Sequence, residues 1–288
     1  MNTRGKLPIF LILLLTVAIV GIWVLYSVYY VPNARISATY MEVYQEIDPL
    51  EVDTLDLKSV NHKLIIKESE GDKIRINYFQ KTDNINTYNN GNGVVSLNMR
   101  ERVENLDNLF FQSSRKIDTI TVYIPTDCLP DISYDTISGT TDVSNVTLER
   151  LNVSSITSGI EIKNSEIENI IFNTNEGNMT VDEVTFNKLN VTEISGTVNL
   201  NVTDSLTAYK SAVSTTYGIL NINGERVRDK VEEVETVVNY YNNEPEEAEK
   251  EVNIVAHRSN INITSVEPVP EENPETVPEQ PAEETPQQ

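Results

Sequence analysis

The sequence predicts an all-β protein, a β-solenoid of about 19 residues per coil, preceded by one N-terminal transmembrane α-helix. Three observations lead there. Leu7 to Val31 runs without a charge. Residues 129–204 divide into four segments of 19 residues in which the same positions are apolar. Within each segment the apolar residues come in i, i+2 pairs, with the Thr, Val, Ile and Asn content of strands rather than of helices.

At about 1.5 Å per residue, a helix over 7–31 spans the roughly 30 Å hydrocarbon core with some tilt. Arg4 and Lys6 precede it, while Trp23, Tyr26, Tyr29 and Tyr30 near its far end suit the half-wet headgroup region. The expected arrangement has residues 1–6 in the cytoplasm, 7–31 in the membrane and everything from about Pro32 outside it, at the cell membrane. A cleaved secretory signal fits less well, because such apolar regions run about 7–15 residues and no A-x-A-like site closes this one.

Residues 32–51 read as a juxtamembrane connector. Alternating runs follow at Leu55 and Leu57, Leu64 to Ile66, Ile74 to Tyr78, Val95 to Met99 and Ile120 to Ile124, each a strand, with Asn84–Gly93 as a loop between two of them. In the repeat, one column is Leu129, Leu148, Ile167, Phe186. Others are Ile132, Leu151, Ile170, Leu189; Tyr134, Val153, Phe172, Val191; and Val143, Ile162, Val181, Leu200. A further column, Ile137, Ile156, Asn175, Ile194, extends to Val213. Gly139, Ser158, Gly177 and Gly196 share a frame position where a small residue fits a tight corner. A single repeat cannot bury its apolar face, whereas coils stacked at about 4.8 Å share one continuous core.

The insertion 225–251 carries Val227, Val231, Val234, Val238 and Tyr241 at helical spacing, although its β-branched content disfavours a helix. Val252 to Ile263 alternates again and is expected to add a terminal strand pair or coil. Residues 264–288 form a Pro/Glu-rich tail with too little apolar surface to offset ordering entropy.

Ile120–Val143, ITVYIPTDCLPDISYDTISGTTDV, leads into the units TISGTTDV, SITSGIEI and EISGTVNL and then STTYGILNINGERV. In this order the elements resemble the putative-adhesin family of bacterial cell-envelope proteins, over roughly Val52–Ile263. The resemblance implies a β-solenoid exposed outside a bacterial membrane, associated with adhesion and, in some members, with envelope-stress sensing. It brings no catalytic residues. The chain departs from the family by the insertion between Gly224 and Val252 and by the tail.

Composition narrows the function further. With 22 Lys+Arg against 44 Asp+Glu the formal charge is −22, which repels phosphate backbones and argues against nucleic-acid binding. One cysteine, Cys128, and two histidines, His62 and His257, leave no Cys/His zinc cluster, so no metal or cofactor is expected. Cys128 reads as a buried thiol and His257 has no evident partner. Asp142 and Glu161 stack on adjacent coils, the one carboxylate pair worth weighing for catalysis, but Thr180 and Asn199 continue their column. Asn145, Asn152, Asn178, Asn190, Asn201 and Asn262 begin N-x-S/T triplets that read as outward polar residues. Tyr217, Tyr240 and Tyr241 fit either an aromatic sugar- or peptide-binding face or a cover for the last coil. The expectation is a non-enzymatic, adhesin-like binding module whose partner is an envelope protein or a cell-wall polymer. An envelope-stress sensor acting through its membrane helix is the alternative, and a polysaccharide-acting enzyme a third class.

Overall fold

The computed structural model describes residues 6–26, 40–81, 87–99, 117–227, 237–242 and 250–266. Residues 1–5 of the expected cytoplasmic N-terminus, 32–39 of the connector, parts of the insertion and the tail beyond Val266 lie outside the described residues.

A helix, α1, covers Lys6–Leu25. From Ile12 to Tyr26 its apolar side chains all face solvent, and none joins the core of the β domain. Among the described residues no helix is long and apolar enough to cross a membrane.

The strands are β1 (Tyr40–Ile47), β2 (Thr54–Ser59), β3 (Lys63–Ser69), β4 (Ile74–Lys81), β5 (Thr87–Gly91), β6 (Val94–Asn98), β7 (Thr119–Pro125), β8 (Asp131–Ser144), β9 (Thr147–Thr185), β10 (Lys188–Val202), β11 (Lys210–Thr215), β12 (Leu220–Ile222), β13 (Glu225–Arg226), β14 (Val238–Asn242) and β15 (Glu251–Ser265). Their main path runs β1-β4-β7-β3-β8-β9-β10-β15-β11-β14. Neighbouring coils pair in parallel, with Ile132 beside Leu151 and Ile170 beside Leu189. Antiparallel pairs close both ends: β1 on β4 and β5 on β6 at one, β14 on β11 and β13 on β12 at the other. A solenoid needs such ends, because an open parallel edge would template further strand addition.

Each regular coil has three sides. The first, exemplified by 131–137, buries Ile132, Tyr134 and Thr136; the second, 140–144, buries Thr141 and Val143; the short third buries Val146 and Leu148. One core runs from Ile47 to Ile263. The first corner is the Gly139 frame. Gly139 lies beside Ser158 and Gly196 beside Gly177, and coils approach so closely that a Cβ on Gly177 would meet the Ser158 carbonyl. The second corner is turned by Asn145, Asn164 and Glu183, all left-handed at φ 54°, 46° and 53°. Asn accepts this conformation more readily than most residues, so the Asn145 triplet marks a corner.

Several expectations change. The stretch 32–51 is more than a connector, since from Tyr40 it contributes β1 to the domain. Asn84–Gly93 includes β5. The helical spacing of 225–241 is not realised in the described residues, where Val238 and Tyr241 belong to β14. Leu129 is exposed, and Cys128 is buried beside it. Most consequentially, Val252–Ile263 is not a terminal addition. Strand β15 slots between β10 and β11, parallel to both, with Val191 and Val213 each paired to Ile254. Val213 is therefore an interior residue of the Val191 row and does not extend the Ile137 column.

Candidate functional site

Asp142 and Glu161 are register partners on adjacent coils. Each carboxylate is taken up by a lysine: Lys63 pairs with Asp142, and Lys163 lies 2.5 Å from Glu161. The Glu161 carboxylate raises the Lys163 pKa, the expected sign for an ion pair. Paired in this way, the two acids neither share a proton nor form a bare cation site. Among the described residues no three His, Cys, Asp or Glu side chains are grouped to hold a metal. Burial pushes the Cys128 thiol up, which disfavours the reactive thiolate. His257 does have a neighbour, the Tyr217 ring, edge-on at 5.1 Å.

Two open clefts lie along the coil corners. One of about 410 Å³ is bordered by Glu68, Thr126, Asn145, Asn164, Glu166 and Glu183. The other, about 510 Å³, has Asp53, Asp127, Asp131 and Glu149 around Leu50 and Leu129. Both carry several acids in their walls; in the first, the Thr126 hydroxyl donates to Glu68 Oε1 at 2.8 Å, an exposed contact with no third group beside it, among the described residues, to orient the carboxylate as a base.

The outer surfaces are more ordered than the clefts. Ile137, Ile156 and Ile194 occupy the same outward position at the end of the first side, 51%, 51% and 47% exposed, with Asn175 between the last two. At one end of this ridge the Ser138 N–H donates to the Val60 carbonyl, which seats Val60 on the neighbouring coil. At the other, His257 follows Ile194 in register. Strand sequence forces this placement, since Thr136, one residue back along the alternation, is inward. Periodicity alone had grouped the isoleucines with the core columns. The sequence signal that separates them is the adjacent corner glycine frame, which shifts the inside–outside phase.

Around the corner, the second side divides in two. Its first coils carry the Lys63–Asp142 and Lys163–Glu161 pairs. Its last coils carry amides: Asn262 Nδ2 donates to Asn199 Oδ1 at 2.9 Å, and Asn221 Nδ2 donates to Asn262 Oδ1 at 2.8 Å. These three residues stand on β10, β15 and β12, which are consecutive in space only because β15 is inserted. That ladder was not legible from chain order.

A family model described as Toastrack DUF4097 matches residues 52–267. Among solved structures, the chain is similar to a putative cell adhesion protein from Clostridium sporogenes ATCC 15579, at 16% identity and TM-score 0.43, over 79% of this chain and 100% of that one. It is also similar to a putative adhesin from Bacteroides fragilis NCTC 9343, at 12% identity and TM-score 0.39, over 78% and 97% of the respective chains. A putative lipid binding protein from Parabacteroides distasonis ATCC 8503 is similar at 9% identity and TM-score 0.27, over 79% and 97%. No curated protein matches.

Proposed function

The chain belongs to the Toastrack DUF4097 family, and from that membership we propose that it is a non-catalytic binding module of the bacterial cell envelope, anchored by its N-terminal helix with the solenoid outside the cell membrane. The observation that carries the binding reading is the ridge of Ile137, Ile156 and Ile194, exposed at one place on the coils. Single exposed aliphatic residues are ordinary, but one outward position that repeats as isoleucine on three of four coils, with only Asn175 breaking the row, makes an apolar strip, which on a solvated surface favours a partner. The anchor is supported by the uncharged run Leu7–Val31 and by the outward apolar side chains of α1 from Ile12. A helix apolar all round needs a nonaqueous environment.

The test is co-sedimentation of the full chain, held in detergent micelles, with isolated envelope membranes and separately with purified wall polymer. Binding to one of the two is expected, and Ile156→Asp should weaken it about ten-fold without lowering the melting temperature. Absence of binding to both fractions, or equal binding by the variant, would overturn the reading.

A further inference from the structure

We propose that the amide-bearing end of the second side, over β10, β15 and β12, is a binding face for a neutral, hydroxyl-rich glycan chain; this names the ligand class for the binding module above and rests on that reading. From 197 to 201, 260 to 264 and 219 to 223 the three adjacent rungs contain Asn, Thr and aliphatic residues and no charged side chain. In a chain of net charge −22 that is a local departure. Its charged borders are Asp182 on the neighbouring coil of β9, whose Oδ1 accepts from Asn201 Nδ2 at 2.8 Å, Arg258 at the corner, and Glu225 and Arg226 on β13.

The amides are fixed in orientation. The Asn199–Asn262–Asn221 ladder sets three of them, and Asn260 Oδ1 accepts from the Ile219 N–H at 3.1 Å. A primary amide has two N–H groups and two lone pairs, so a laddered amide keeps donor and acceptor capacity pointing outward. A sugar ring presents the complement: hydroxyl edges that donate and accept together, and C–H faces that are apolar. The apolar platform is present beside the ladder, where Tyr217 is exposed at the corner and Ile219 opens the last rung. Tyr217 is braced by His257, so the ring is positioned before a ligand arrives. The amides repeat on rungs about 4.8 Å apart while the apolar platform closes one end of the row, so a ligand that engages both must extend along the axis, which suits a polymer better than a compact solute. The missing charges select a neutral chain, because an anionic polymer would meet the field of the surrounding acids with no cation on the face to offset it.

Isothermal titration of the full chain in micelles with cellohexaose and with chitohexaose, and with hexagalacturonate as the anionic comparator, tests the proposal. A neutral hexamer is expected to bind and the anionic one not to. Tyr217→Ala and Asn199→Ala, both at exposed side chains, should each weaken binding roughly ten-fold, while Lys163→Ala on the charged half leaves it unchanged. No binding of either neutral hexamer at millimolar concentration, preference for the anionic hexamer, or indifference to both substitutions would overturn it. If envelope binding persists under those outcomes, only the ligand class fails; if envelope binding is also absent, the module reading fails with it.

Discussion

Glu193 sits in the inward position that Thr136 and Thr174 occupy on other coils, 2% exposed, with neither carboxyl oxygen hydrogen-bonded among the described residues. Burial raises its pKa from 4.5 to about 7; the nearby Ser259 hydroxyl, without hydrogen-bond geometry, pulls weakly the other way. His62, 1% exposed, is lowered from 6.5 to about 4 by burial, against the Asp118 charge. The two act in opposite directions. The folded acid holds a proton the unfolded chain has lost between pH 4.5 and about 7, so its contribution falls as pH rises through that range. The folded imidazole lacks a proton the unfolded chain gains below 6.5, so its contribution falls as pH drops toward about 4. Between 4.5 and 6.5 they offset one another, and urea unfolding should show a plateau there with a decline above it. In Glu193→Gln the decline from pH 6.5 to 7.5 should vanish; an unchanged slope would refute the assignment. The corner frame is the other residue-scale constraint. Gly196 has φ +156°, and a Cβ there would meet the Gly177 carbonyl and the Glu193 carboxyl, so Gly196→Ala should lower stability by about 2–3 kcal/mol, measured by the same unfolding.

Among elements, β15 has the most demanding position. Both its edges are paired, to β10 on one side and to β11 and β12 on the other, so the last described strand of the chain completes an interior rung. The coil that must reach across it is longer than the others. Lys188 and Lys210 both pair with Glu251, a separation of 22 residues where neighbouring coils repeat at 19, and the extra length includes the 3-10 turn Leu206–Ala208. This explains why the four regular 19-residue segments stop at Asp204. Ile254, fully buried, should cost about 2–4 kcal/mol as Ile254→Ala, while the exposed neighbour Val255→Ala stays within about 0.5 kcal/mol, both read from urea midpoints. Similar effects at the two positions would contradict the inserted register. The strands from Leu55 to Ile124 and the repeat itself were legible because alternation and period are local. The slot for β15 was not, because Val252–Ile263 has the same alternation whether it ends the stack or enters it. Leu129 was misread for a related reason: the turn before β8 holds it out of register, and Cys128 takes the buried place.

For the whole molecule, charge and anchorage are properties of composition. Residues 266–288 hold seven acids and no base, so a third of the net −22 belongs to the tail. Membrane attachment is expected to resist alkaline carbonate for the full chain, and to be lost when residues 1–35 are removed; release of the full chain would end the anchor reading. The sequence by itself determined the all-β class, the 19-residue rhythm, the uncharged N-terminal run and the corner glycines, because each is read along the chain, from near neighbours or from one fixed spacing. Only the tertiary structure decided which apolar columns face water, that Asp142 and Glu161 are each spent on a lysine, and that Asn199, Asn262 and Asn221 form one ladder. Those facts depend on which coil lies beside which, and the insertion of β15 breaks the link between order along the chain and order in space.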